Sequence, residues 1–90
     1  MKYPKIISVK PTSDYNVILT LENGIIKKFD VKPYISGTWF GELKDKDIFN
    51  TVHPCGNTIE WKDGQDIAPH ELHELSVFIE NWANNLWKDW

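Results

Sequence analysis

The stretch that decides the fold is Val17-Ile18-Leu19-Thr20-Leu21-Glu22-Asn23-Gly24-Ile25-Ile26-Lys27-Lys28-Phe29. Two runs rich in β-branched and apolar residues flank the pair Asn23-Gly24. Asn-Gly between two such runs is the strongest short-range signal of a β-hairpin, because both central residues of a type I′ turn need positive φ. The sequence therefore predicts two antiparallel strands joined at Asn23 and Gly24.

The sequence does not decide the register in which the two strands of this hairpin pair. A two-residue turn pairs Leu21 with Ile26 and Leu19 with Lys28, and Ile18 then lies on the opposite face. Apolar residues do not alternate cleanly in that register. Either a bulge shifts the pairing, or both faces of the sheet are partly covered.

Other segments complete a mainly antiparallel sheet. Residues 6–10 favour a short strand, and residues 43–49 have room for about two helical turns. Thr51-Val52 and Thr58–Trp61 predict a second hairpin, in which alternation places Ile59 and Trp61 on one face. Hairpin connections dominate, so neighbouring strands should run antiparallel.

The segment from Pro69 to Lys88 predicts a long amphipathic helix. Pro69 suits a first helical turn, and Glu71 suits the positive end of the helix dipole. Only Val77 breaks an apolar stripe with helical spacing. The members of this stripe are Leu72, Leu75, Ile79, Trp82, Ala83, Leu86 and Trp90. The predicted fold is therefore α+β: about five mainly antiparallel strands built from hairpins, one short helix, and this long C-terminal helix packed on the sheet.

Composition and charge exclude several classes of protein. The 90 residues suit a single domain over 1–90, and ten Lys against 13 Asp and Glu give a net charge of −3 without any Arg. This balance does not favour a nucleic-acid binder, which normally carries a basic footprint. A single cysteine, Cys55, fits a reducing cytoplasm. We find neither a secretory signal nor a run long enough to span a membrane, and so expect a cytoplasmic protein without membrane contact.

Three histidines raise the question of a metal site. His70 and His73 lie three residues apart, whereas the zinc-protease pattern needs two histidines that lie four residues apart. A third ligand would have to come from elsewhere, for example His53. The alternative, two solvent-facing histidines on the polar side of a helix, is favoured, so we predict no metal and no cofactor.

Two further constellations also have structural explanations. His53-Pro54-Cys55 could suggest a nucleophile pair, but it spans a predicted turn and no neighbouring acid orients the histidine. Asp63-Gly64 is ordinary turn chemistry, and Asp66 precedes the last helix, where it could cap the free N–H groups. We therefore predict that the chain is not an enzyme.

A longer pattern extends over most of the chain. Its pieces are Ile7-Ser8-Val9-x-Pro11, Tyr15 to Leu21, Asn23-Gly24, Phe29-Asp30, Gly41, Leu43, Phe49, Val52, Ile59-x-Trp61, Asp63-Gly64-x-Asp66-Ile67-Ala68-Pro69 and Leu72. In order and spacing, this pattern resembles the bacterial and archaeal family catalogued as domain of unknown function 2442. The resemblance covers about residues 5–75 and leaves residues 76–90 as a Trp-rich helical extension.

The resemblance implies a small α+β domain that is often encoded beside another small protein, in arrangements that look like toxin–antitoxin pairs. Some relatives carry a helix-turn-helix DNA-binding domain after this one, whereas residues 76–90 are too few to form one. The family brings no established active site, so no functional residue is carried over.

The aromatic surplus supports a binding role. Of the five Trp, three lie in the last nine residues, and exposed Trp is a typical interface anchor. We predict a protein-interaction module whose partner is another small protein or a second copy, and the family resemblance implies the antitoxin-like member of a gene pair. The predicted partner surface is Trp39, Trp87 and Trp90. The alternative is a nucleic-acid-linked transcriptional regulator that uses a lysine-rich strand face at Lys27, Lys28 and Lys32.

Overall fold

The main sheet is a four-stranded antiparallel sheet. A computed structural model describes residues 3–79 of the chain. The strands of the sheet are β1 (Ile6–Pro11), β2 (Asn16–Leu21), β3 (Ile26–Asp30) and β6 (Val77–Phe78). They lie in the order β1-β2-β3-β6, so β1 and β6 form the two edges of the sheet among these residues.

A second, two-stranded sheet lies beside the β1 edge. It consists of β4 (His53–Cys55) and β5 (Thr58–Glu60), which pair antiparallel. The N–H of Ile6 donates to the carbonyl oxygen of Gly56 at 2.9 Å, which ties the turn of this hairpin to the start of β1. The prediction of a single sheet of about five strands is therefore wrong, although the class is α+β and the pairing is antiparallel as expected.

Short helical segments connect the two sheets. Two 3₁₀ helices, Lys32–Tyr34 and Phe40–Lys44, precede the helices α1 (Lys46–Phe49) and α2 (Pro69–Leu75). Asp45 caps α1, since its carboxylate accepts the N–H of Asp47 at 2.9 Å. Among residues 3–79, no helix has the length and apolarity needed to cross a bilayer.

The core lies between the inner face of the main sheet and the segments that follow β3. Strand β2 alternates clearly, since Val17, Leu19 and Leu21 are buried and the residues between them are half-exposed. Burial of these side chains on one face is the main stabilising contribution of the hairpin. The other buried apolar residues are Ile6, Phe29, Val31, Leu43, Phe49, Val52, Ile59, Trp61, Ile67 and Leu72.

The hairpin register differs by one residue from that of a two-residue turn. Leu19 pairs with Lys27, and the N–H of Leu21 donates to the carbonyl oxygen of Ile25 at 2.9 Å. The loop therefore has three residues, Glu22 to Gly24, with Gly24 at φ +85°. A three-residue loop that ends in a left-handed residue is the next most common hairpin connection. Val17, Leu19 and Leu21 share one face of β2 in either register, and the observed register places Phe29 on that core face, opposite Val17.

The predicted long C-terminal helix is wrong within the described residues. Helix α2 ends at Leu75, Ser76 is extended (ψ 153°), and Val77–Phe78 forms a strand on β3. The N–H of Ile79 donates to the carbonyl oxygen of Ile26 at 3.0 Å. Sheet hydrogen bonds to β3 thus replace the helical ones, and Val77, the one residue off the apolar stripe, begins the strand. The rest of the predicted helix, residues 80–88, lies outside the described residues.

Candidate functional site

The edge strand β6 is where exposed apolar side chains concentrate. Leu75 is 62 % exposed, and Val77 and Phe78 are each 60 % exposed. These three residues lie within four positions of the chain, at the end of α2 and on β6. Scattered exposed apolar residues are normal, whereas a contiguous group at a sheet edge marks an interaction site.

The backbone of β6 is also oriented for pairing. In an antiparallel pair, hydrogen-bonded and non-hydrogen-bonded positions alternate. Ile79 is hydrogen-bonded to Ile26, so the pair Lys27–Phe78 is non-hydrogen-bonded. The N–H and C=O of Phe78 therefore point away from β3, toward the side of β6 on which no strand of residues 3–79 lies.

A network around His73 holds α2 in place beside β6. The His73 ring stacks on Tyr3 with centroids 4.7 Å apart, and its Nε2 lies 2.7 Å from the carbonyl oxygen of Asn57. The phenol of Tyr3 donates to Glu74, and this hydrogen bond raises the pKa of Tyr3. These contacts fix the C-terminal end of α2, from which the chain enters β6.

Lys27 lies under this edge on the core face. Its side chain is buried, its ammonium donates to the carbonyl oxygen of His73 at 2.5 Å, and it lies 4.8 Å from the centroid of the Phe78 ring. A cation near the last carbonyls of a helix interacts favourably with the helix dipole. Burial nevertheless lowers the pKa of Lys27.

The predicted lysine-rich strand face does not form. Lys27 and Lys28 are consecutive in β3 and so lie on opposite faces of the sheet. Lys27 is buried, whereas Lys28 pairs with Val77 on the outer face. Lys32 follows the strand in a 3₁₀ helix and forms an ion pair with Asp30 at 2.9 Å. The patch proposed for a nucleic-acid partner is therefore divided between three environments.

The histidines do not converge. His70 is exposed, but His73 is buried, so the expectation that both face solvent is wrong for His73. His53 Nε2 lies 3.2 Å from Glu60 Oε1 and its Nδ1 lies 3.2 Å from the carbonyl oxygen of Thr51. Its ring nitrogens thus face these oxygens, while Cys55 is exposed on the same strand. Across residues 3–79, no group of three His, Cys, Asp or Glu side chains is arranged to hold a metal ion.

The predicted turn residues occupy two loops. Asn23 Oδ1 accepts the N–H of Ile25 at 3.2 Å in the first hairpin. In the second loop, Gly64 has φ +100° and its N–H donates to the carbonyl oxygen of Trp61 at 2.9 Å, directly after Asp63.

The start of α2 has no side-chain cap. Its N-cap residue is Ala68, at which no side chain accepts a hydrogen bond. Asp66, the residue predicted to cap this helix, instead forms a backbone bridge with Glu60. Pro69 begins the helix, and a proline there has no N–H that would need a partner.

The predicted partner tryptophans fall in different parts of the chain. Trp39 is 49 % exposed and lies over the second loop, where a Cβ on Gly64 would come within 3.7 Å of its indole ring. Trp87 and Trp90 lie outside the described residues. Sequence reasoning missed Val77 and Phe78 because it assigned them to a helix, and it missed Leu75 because it placed this residue on the buried stripe of that helix. The signal that identifies the strand is the β-branched and aromatic run from Val77 to Ile79.

Comparison with known proteins identifies the family. The family model described as "Protein of unknown function (DUF2442)" matches residues 6–78, more than half of the chain. The chain belongs to the DUF2442 family. The matched DUF2442 region ends at Phe78, so it includes β6 and the exposed edge. Comparison with curated proteins and with solved structures gives no match.

Proposed function

We propose that this DUF2442 domain is a non-catalytic protein-binding module that uses the β6 edge of its main sheet. The observation that carries the proposal is the exposure of Leu75, Val77 and Phe78 on and next to an edge strand. Among residues 3–79, no strand pairs with β6 on its outer side.

Edge geometry suggests how a partner binds. An edge strand presents backbone groups that a second extended segment can pair with, and exposed side chains on both faces then add contacts. Val77 supplies an aliphatic contact on the outer face, and Phe78 supplies an aromatic one on the core side. Aromatic residues at the centre of an interface are frequent energetic anchors.

The partner that we propose is a second small protein encoded beside this chain, with the DUF2442 domain as the antitoxin-like member. The support is the resemblance to gene pairs of that type, together with the edge described above. Cys55 is exposed and has no disulfide in the described residues, which suits a reducing compartment. We therefore place the interaction in the cytoplasm.

Co-expression with the product of the neighbouring gene tests this proposal. Val77→Lys places a charge on the β6 edge, and Ile7→Lys makes the same change on β1 at a site of equal exposure, 59 % against 60 %. We expect the wild type and the Ile7→Lys variant to co-purify with the neighbour. The Val77→Lys variant should lose it while its circular dichroism stays unchanged. Equal retention by both variants, or no complex with the wild type, would contradict the proposal.

A further inference from the structure

The ammonium of Lys27 is an unusual group at the β6 edge. The residue is 7 % exposed, and the nearest described partners of its amine are one carbonyl oxygen, of His73, and the ring of Phe78. An ammonium has three N–H donors. Within residues 3–79, one neutral oxygen and one ring face compensate this charge only weakly.

No carboxylate among residues 3–79 compensates it. The ion pairs in that range join Lys32 to Asp30 and His53 to Glu60, and neither of them includes Lys27. Desolvation alone lowers the pKa of Lys27, with no opposing contribution from an acidic group. A buried charge without a counter-charge costs folding free energy. A carboxylate supplied by a partner would therefore compensate the charge of Lys27 and reduce this cost.

The position of Lys27 places it within reach of such a partner. Lys27 pairs directly with Phe78 across β3 and β6, so both side chains lie on the core side of the sheet. A strand added outside β6 would place the residue opposite Phe78 on that same side. Two strand spacings, about 10 Å, then separate its Cα from that of Lys27. A lysine and a glutamate side chain directed toward each other span this distance.

Self-pairing through Val77 and Phe78, the described residues of β6, supplies no carboxylate. If two copies paired through β6, the residues brought together would be Val77 and Phe78, neither of which is acidic. The two Lys27 ammoniums would also approach the same interface, and like charges there oppose association. The chemistry thus favours a different chain over a second copy.

We infer that the β6 edge binds an extended segment of another protein that carries a carboxylate opposite Phe78, flanked by apolar residues, and that this carboxylate pairs with Lys27. This inference rests on the proposed function of the β6 edge and adds the chemistry of its partner. Lys27 then selects the partner, while Leu75 and Phe78 exclude water around the pair.

Two synthetic hexapeptides test the inference on the full chain. Both alternate valine with threonine, one has a central glutamate, and the other has glutamine in its place. Titration of the ¹⁵N-labelled protein, followed at the amides of residues 77–79 and Lys27, gives both affinities. We expect the glutamate peptide to bind at least about tenfold more tightly, as is typical when a buried charged partner is satisfied.

Two neighbouring lysines provide the matched variants. Lys27→Met should abolish the preference for glutamate, and Lys28→Met, on the opposite face, should keep it. Equal binding of both peptides to the wild type would overturn the inference and leave the proposed edge function standing. If neither peptide shifts residues 77–79, both fail. The difference in affinity between the two peptides for the wild-type protein tests the inference even if Lys27→Met does not fold.

Discussion

The indole N–H of Trp61 donates to the carbonyl oxygen of Phe49, with nitrogen and oxygen 2.9 Å apart and both residues without exposed surface. Their rings lie 5.9 Å apart between centroids. Trp61 follows β5 and Phe49 ends α1, so a single side chain joins the small hairpin to the helical connection. The tryptophan thus fills the core and satisfies a carbonyl group at a helix end.

Replacing Trp61 with phenylalanine should destabilise the fold. The change removes a buried hydrogen bond and part of a large ring, and leaves the Phe49 carbonyl with only the N–H of Val52 at 3.4 Å. We expect a loss of about 2–3 kcal/mol in the free energy of unfolding. Urea denaturation followed by circular dichroism measures it. Trp39→Phe is the control, since the half-exposed Trp39 should change stability by less than about 1 kcal/mol. Equal losses for both variants would contradict the role assigned to Trp61.

Gly24→Ala should destabilise the first hairpin through the backbone alone. Gly24 has φ +85°, and a Cβ there would meet no atom within 4 Å. The expected loss is about 1 kcal/mol, because an L side chain disfavours that conformation. Gly41→Ala is the matched control: its Cβ would meet ordinary contacts at 3.8 Å without a positive φ. A melting temperature lowered as much in Gly41→Ala as in Gly24→Ala would refute the argument.

The sequence predicts the existence of the first hairpin but not its register. Asn23-Gly24 indicates a turn in either case, and the choice between two and three loop residues depends on which face of β3 meets the core. Phe29 decides it, since only the three-residue loop places its ring opposite Val17 on the core face, and burying that ring is worth more than an ideal two-residue turn. The burial of Lys27 follows from that register. A two-residue loop, which pairs Leu19 with Lys28, does not predict that Lys27 is buried.

The C-terminal error has a different cause. A helical stripe is a local signal, whereas the end of α2 at Leu75 depends on β3, nearly fifty positions earlier, offering its edge to Val77 and Phe78. Long-range pairing overrides local periodicity in such cases. The exposed surface of the candidate site could not be located until that pairing was known.

Gln65→Glu should make stability depend on pH. Gln65 has no exposed surface, and its Nε2 donates to the carbonyl oxygen of Trp39 at 3.0 Å and to Glu42 Oε1 at 3.3 Å. A carboxylate at this position would face two acceptors in a buried site, which would raise its pKa above the unfolded value of about 4.3.

The sign of this effect follows from proton binding. Near pH 7 the carboxylate is charged in the unfolded chain and the full cost is present, about 3 kcal/mol. As the pH falls through the raised pKa toward about 4.3, the folded state takes up its proton first and the cost disappears. Gln65→Met should instead lose stability equally at pH 7 and pH 4.5. If the free energies of unfolding of the two variants changed in parallel with pH, the oxygens of Glu42 and Trp39 would not raise the pKa of the introduced carboxyl.

Lys27→Met should stabilise the fold near neutral pH. Methionine keeps most of the volume and removes a buried charge, and the carbonyl oxygen of His73 retains the hydroxyl of Ser76 as a donor at 3.3 Å. The expected gain is about 1 kcal/mol after the loss of the contact between the ammonium and Phe78. Lys28→Met, on the outer face, should change stability by less than about 0.5 kcal/mol.

The gain from Lys27→Met should also shrink as the solution becomes alkaline. Because burial lowers the pKa of Lys27, the folded wild type releases its proton at a lower pH than the unfolded chain, and its stability rises between those two pKa values. Burial and the hydrogen bond to Glu71 raise the pKa of Tyr34, which acts in the opposite direction but equally in both proteins. The difference in unfolding free energy between variant and wild type, measured from pH 7 to 10.5, therefore isolates Lys27. A constant difference would mean that the ammonium carries no burial cost, and that a partner carboxylate would relieve none.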